Sequence, residues 1–423
     1  MIRRSGKLLL PAHHLKRVFL VLSNNALMTV LRFVTVAMIS HYLAGVPAIN
    51  TFFYFYSVAI FFNSVSDFGL HTTLTIHASD DEYFTNRKKV ATVLGYRVIF
   101  GITCFISFIL FTHIAGNLSP ELFGFGLALA LFASNPSLAD PFMHMLRGRQ
   151  YELVETSLRV AEAFITMLSV LLVMTIYEVK TLNHIALAMS APTLIRLAIS
   201  AYIFHRIKPI EFNFNMRDLY EQFRSVFFAG LSFLLSSFLM RAPILMAPIL
   251  MPGTAIAKLT ISMMLVQASQ MMSTPVSQYV LTRVKRKNPK KPKDFDMRIM
   301  AVPPLFYALG LVAAVFVIGV AQFDMQLFGI ELRDTNFYIL CATLPIFLVG
   351  DFLRFFYIYI GRTQLFFVLQ CLIVLFYFAA FFALKPYYPD VALVAGFAVA
   401  HLCFMLVAIA IPLKSKYRIV KKS

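Results

Sequence analysis

Twelve continuous apolar stretches mark the chain, at about residues 18–43, 50–77, 91–115, 121–143, 157–177, 184–206, 225–250, 254–281, 299–320, 336–360, 365–384 and 391–412. Each is close to the roughly 20 residues that a helix needs to cross the hydrocarbon core of a bilayer. None alternates apolar and polar positions over ten-residue segments, as the strands of a membrane barrel do. The pattern predicts an all-α integral membrane protein with about twelve transmembrane helices. The stretches between them are too short to fold as domains, so the function must reside inside the bundle.

Composition agrees with this reading. Of 423 residues, 59% are hydrophobic and 14% are charged, against roughly 45–50% and 25% in soluble domains, which excludes an ordinary water-soluble enzyme. The formal net charge of +18 would suggest nucleic acid in a soluble protein; here it is sorted by topology. With the N-terminus inside, the inner connections hold 28 Lys and Arg, and the outer loops hold three, Lys180, Arg333 and Lys385. The positive-inside rule then places both termini in the cytoplasm. The basic run from Arg283 to Lys293 reads as a topology determinant and a contact for anionic phospholipids, with no nucleic-acid partner. Leu8 to Leu10 is too short for a signal segment, so the first helix is expected to remain as an anchor. Cys104, Cys341, Cys371 and Cys403 stand singly in apolar runs, which predicts core residues and no metal site.

An internal repeat shows in the charges. Arg17 precedes Arg32 by 15 residues, and Arg224 precedes Arg241 by 17. Later in each half an internal Asp is followed by a Gly-Arg exit: Asp140 to Gly148-Arg149-Gln150, and Asp351 to Gly361-Arg362-Thr363-Gln364. The expected organisation is a six-helix half at 1–206, a cytoplasmic linker at 207–224 and a second six-helix half at 225–423, packed around a central cavity. Two halves of the same orientation can rock about such a cavity.

Charge inside the membrane carries the functional signal, since each such group costs at least about 2.5–3.5 kcal/mol at the bilayer centre. The spans contain seven cations and four acids. Arg97, Arg159 and Arg354 lie near the cytoplasmic ends and Lys258 near the opposite one, where long side chains reach the interface. Arg159 is spaced to pair with Glu155 and Glu162, and Arg354 with Asp351. Arg32 and Arg241, with Arg196 behind them, remain as substrate-binding candidates. Asn25 and Thr29 share a helix face with Arg32; Asn63, Ser237, Gln267 and Gln270 extend the polar lining onto the second, seventh and eighth helices. Pro243 and Pro248 are expected to break the seventh helix. Asp67, Asp351 and Arg354 are candidates for gating or coupling. Guanidinium groups select anions and pair bidentately with phosphate. His77 and Asp81 come nearest to a catalytic pair, on a cytoplasmic loop; the reading is a transporter, not an enzyme, and calls for no cofactor.

The layout, the Ser66-Asp67-Phe68-Gly69-Leu70 turn after the second helix, Leu146-Arg147-Gly148-Arg149-Gln150 after the fourth, and Gly361-Arg362-Thr363-Gln364 before the eleventh resemble the polysaccharide-exporter branch of the multidrug/oligosaccharidyl-lipid/polysaccharide (MOP) superfamily, in particular Wzx-type flippases of O-antigen and related surface polysaccharides. The resemblance implies alternating access in the bacterial inner membrane. The substrate would be an undecaprenyl diphosphate carrying an oligosaccharide repeat unit, its diphosphate or acidic sugar held by Arg32 and Arg241. It also implies polymerase and chain-length machinery as partners and coupling to a proton or sodium gradient, with no residue identifying the ion. A multidrug exporter of the same superfamily is the main alternative, and a peptidoglycan-precursor flippase the lesser one.

Overall fold

The computed structural model describes residues 12–68, 74, 78, 81–115, 122–149, 151–176, 181–250, 255–268, 302–359 and 362–420. Helices dominate them, and no strand occurs among them. In chain order they are α1 (Ala12–Leu43), α2 (Ala48–Asp67), α3 (Arg87–Ala115), α4 (Phe123–Leu138) continued by α4′ (Asp140–Gly148), α5 (Glu152–Ile176), α6 (Leu182–Ile207), α7 (Met216–Leu250), α8 (Ala255–Ala268), α9 (Val302–Val320), α10 (Thr335–Tyr359), α11 (Thr363–Leu384) and α12 (Ala392–Val420). Among the described residues ten helices are long and apolar enough to cross a membrane. The fourth stretch is divided, and only part of the eighth is described.

Local chemistry explains the departures from the expected boundaries. The second helix ends at Asp67, not at 77, because Phe68 turns into the left-handed region (φ 43°) and caps it through its own N–H to Ser64 O. The fourth helix breaks at Ala139 because Pro141, in the first turn of α4′, has no N–H to continue the ladder. The expected break in α7 does not occur: the helix runs through Pro243 and Pro248 to Leu250. In a bundle, neighbouring helices and side chains can satisfy the backbone groups that prolines free. The connection between α6 and α7 is also shorter than expected, Lys208–Asn215. Asn215 Oδ1 accepts from the Arg217 N–H at 3.0 Å and so starts α7 early.

The two halves of the chain repeat one neighbour pattern. In the first, α1 packs on α5, α3 on α4, and α6 on both α4 and α5; in the second, α7 packs on α11, α9 on α10, and α12 on both α10 and α11. Between halves, α7 lies against α2 and α3. The side holding the ends of α2, α6, α10 and the start of α7 is called the linker face below. On the opposite, far face the halves are sealed together. Ser40 of α1 donates to Phe328 O at 2.7 Å, Phe33 meets the Phe328 ring edge-on, and Asn50 Oδ1 of α2 accepts from the Ala257 N–H of α8 at 3.1 Å. Ile39, Leu43, Phe53, Ile244 and Ala247 pack into the same buried core.

Candidate functional site

Between the halves, on the linker-face side of that seal, lies a cavity of about 370 Å³. α2 contributes Asn63, Ser64 and Asp67; α4′ contributes Asp140 and His144; α5 contributes Arg159; α7 contributes Ser236, Ser237 and Arg241; α8 contributes Gln267; and α10 contributes Arg354. Helical spacing puts Phe233, Ser236, Ser237, Met240 and Arg241 on one face of α7. Asn63 also donates to Phe132 O at 3.1 Å and Gln267 to Met240 O at 3.4 Å, so both amides are anchored where they line the wall.

Most of the intramembrane charge is paired. Asp67 pairs with Arg97 at 3.2 Å, and Arg97 also donates to Asp67 O at 3.3 Å. Arg97 is 1% exposed, so it is a buried ion-pair partner and does not reach for the interface as its position suggested. In the first half three arginines meet three carboxylates. Glu155 takes a bidentate pair from Arg147 at 2.7 Å and a bond from Arg159 Nε at 2.8 Å. Asp140 receives Arg159 at 3.4 Å and Arg196 at 2.8 Å; Arg196 Nε stands 3.2 Å from Glu162. Glu162 also accepts from Thr193 Oγ1 at 3.0 Å. In the second half Arg354 lies 3.8 Å from Asp351, donates to Ser236 Oγ at 3.0 Å and covers the Phe233 ring. Asp351 is buried beneath it, away from the main cavity, beside a small void shared with Gln370 and His401.

Arg196 is therefore not placed as a substrate ligand: it is 3% exposed and committed to Asp140 and Glu162. The sequence offered no way to see this, because its acids lie on α4′ and α5, 56 and 34 positions away. Arg32 and Arg241 behave differently. Neither has a carboxylate partner within salt-bridge distance or a hydrogen bond among the described residues, and Arg241 Nη1 is buried without any acceptor. The partly buried Lys258, one turn into α8 from the far face, has no carboxylate partner either. Arg241 is 6% exposed and lines the cavity. Arg32 is exposed and is not among the residues that line the cavity, yet it lies within electrostatic reach of Glu162, Arg159 and Tyr56. Tyr56 of α2 is within electrostatic reach of Arg32 and Arg241 alike.

The remaining expected residues divide. Asn63, Ser237, Gln267, Asp67 and Arg354 line the cavity. Asn25 and Thr29 are half-buried on α1 and turn back on their own helix, Asn25 Nδ2 to Val21 O at 2.7 Å and Thr29 Oγ1 to Asn25 O at 2.8 Å; they do not line it. Gln270, the Arg283 to Lys293 run, Gly361 and the end of the Asp67-Phe68 turn lie outside the described residues. Ser64, Asp140, His144, Arg159 and Ser236 were missed as lining residues. His144 carried no signal beyond its place four residues after Asp140, one helical turn on; Ser236 adjoins Ser237 and could have been included.

No protein-family model matches the chain, and no curated protein matches it in sequence. Solved structures do. One is described as the inward-facing conformation of a multidrug resistance MATE family transporter of the MOP superfamily, with a TM-score of 0.71 at 12% identity, covering 96% of this chain and 99% of that one. The fold is that of the MATE transporters of the MOP superfamily. A MOP superfamily transporter from Pyrococcus furiosus, described as having a binding pocket of reverse polarity that suggests a different function, gives a TM-score of 0.66 at 14% identity over 95% of both chains. The eukaryotic MATE transporter AtDTX14 gives 0.63 at 12% identity over 94% of both.

Proposed function

We propose that this protein is a flippase that moves an anionic, lipid-linked oligosaccharide, an undecaprenyl diphosphate carrying a surface-polysaccharide repeat unit, across the bacterial inner membrane by alternating access. The observation that carries the reading is the charge balance of the interior: once Asp67, Asp140, Glu155, Glu162 and Asp351 are matched to their arginines, Arg32 and Arg241, both within electrostatic reach of Tyr56, remain without a carboxylate partner among the described residues. A buried guanidinium in the cavity wall, Arg241, and an exposed one on α1, Arg32, suit a diphosphate, which offers oxygens to both. The amide and hydroxyl lining of Asn63, Ser236, Ser237 and Gln267 suits sugar hydroxyls, and the gap between the halves would leave the isoprenoid chain in lipid. In this reading the two six-helix halves rock about the cavity. With the linker face in the cytoplasm, the contacts at the far face and the cavity on the linker side fit a state that loads from the cytoplasm.

A second reading is supported by the fold neighbours, several of which are described as multidrug transporters or multidrug resistance transporters. An exporter of organic cations needs an available carboxylate. Here the acids facing the cavity, Asp67 and Asp140, are each held by arginine, which favours the anionic substrate. One neighbour is described as having a binding pocket of reverse polarity, so pocket polarity varies within this fold.

The test is complementation of a flippase-null strain. Arg32→Ala and Arg241→Ala should each abolish surface polysaccharide while membrane insertion is unchanged. Activity at the unsubstituted level in both variants, or drug resistance conferred by the unsubstituted protein without restored polysaccharide, would overturn the flippase.

A further inference from the structure

The connection Lys208–Asn215 between α6 and α7 crosses the start of α3 in a fixed conformation. Its centre is Asn213, whose N–H donates to Ala91 O at 2.9 Å and whose Nδ2 donates to Thr92 Oγ1 at 2.8 Å and Asp218 Oδ2 at 2.9 Å. Gly95 makes the approach possible: a β-carbon there would stand 2.2 Å from the Asn213 carbonyl oxygen. Lys208 donates to Phe84 O and lies over the Phe84 ring, and Ile210 packs into the small core around Val90 and Phe204. The inward positions Ile210 and Asn213 fasten the segment, and its aromatic positions turn out. Phe212 is 48% and Phe214 52% exposed, with their rings stacked at 6.2 Å. Met216, which follows, is 77% exposed.

Depth decides what covers these rings. Ala91 and Gly95 stand four and eight residues into α3, about 6 and 12 Å along its axis from Arg87. The segment therefore lies below the charged start of the helix, Arg87-Lys88-Lys89, at the depth of the boundary between headgroups and acyl chains, where apolar faces of interfacial segments bury. Its neighbours in the chain and in space already present apolar side chains outward at that level and deeper: Tyr202 and Ile207 on α6, Ile99 and Ile102 on α3. The stacked rings continue that surface past the helix ends. Arg206, whose guanidinium sits on the Tyr202 ring and bonds its hydroxyl, supplies a cation at the rim. We propose that Phe212 and Phe214 form an interfacial anchor that inserts into the bilayer lipid at the linker face, pinning the connection between the two halves to the membrane through α3.

The chain contains no Trp, so Phe212→Trp or Phe214→Trp places a single reporter at the site while keeping an aromatic ring there. Each variant is reconstituted at full length in vesicles of phosphatidylethanolamine and phosphatidylglycerol. The expected result is a blue-shifted emission that is quenched by lipids brominated high on the acyl chain, less by lipids brominated deep, and little by acrylamide from the water phase. Emission at the wavelength of water-exposed Trp with quenching by acrylamide alone would overturn the anchor. So would a blue shift without bromolipid quenching, which would mean that a protein surface covers the rings. Neither outcome depends on which substrate the cavity takes.

Discussion

The two unpaired arginines separate stability from function in a way that can be measured. Arg241 is buried and its Nη1 has no acceptor among the described residues, and an unsatisfied buried donor costs about 1–3 kcal/mol, more when charged. Arg241→Met keeps an unbranched stem in the same slot and removes that cost. The variant should therefore be inactive yet more stable than the unsubstituted protein by about 1–3 kcal/mol. Glu155→Leu is the control of opposite sign. Glu155 is 0% exposed and receives three hydrogen bonds from Arg147 and Arg159, and removing one partner of such a buried pair costs about 3–5 kcal/mol. Cys104 and Cys341 are buried free thiols, so a thiol-reactive dye reports unfolding in detergent as they become accessible. Thermal curves should shift upward for Arg241→Met and downward for Glu155→Leu. A downward shift of similar size for Arg241→Met would mean that this guanidinium has a structural partner, and the argument for an anion site built on its being unmatched would fail.

Two further outcomes follow from packing and from titration outside the membrane. Gly230→Ala places a β-carbon 2.3 Å from the Phe68 ring, which is stacked on Phe223 and packed against Phe100 and so cannot swing away; overpacking of this kind costs about 1–3 kcal/mol, and Phe68→Leu in the same chain should restore much of it in the same thermal assay. Asp218 is held below the ordinary carboxylate range by hydrogen bonds from Asn213 and Lys88. A depressed carboxylate stabilises above its unfolded pKa of about 3.9 and loses that contribution as pH falls through the folded value, so hydrogen exchange at the Asn213 amide should accelerate in acid below about pH 4 and be insensitive to pH from there to neutrality after correction for intrinsic exchange.

Local pattern set much of this protein. An all-helical membrane bundle follows from apolar runs that are each long enough to span a bilayer, because in lipid the backbone must satisfy itself within each segment; ten of the twelve runs appear as long apolar helices among the described residues. The end of the second helix was not legible from hydropathy, which runs on to 77; the left-handed turn at Phe68 sets it. Whether an intramembrane charge is structural or available was not legible either. Arg196 and Arg241 look alike in sequence, each a lone cation in an apolar run, and only the tertiary structure assigned Asp140 and Glu162 to the first and no carboxylate among the described residues to the second, as it also gave Asp67 to Arg97. The physical reason is range. Helix formation and membrane insertion are decided within about twenty consecutive residues, whereas a buried charge is settled by whichever acid the packing of other helices brings within about 4 Å. That packing, by pairing the other arginines buried among the described residues, left Arg241, with the exposed Arg32, as the residues on which the function is proposed to rest.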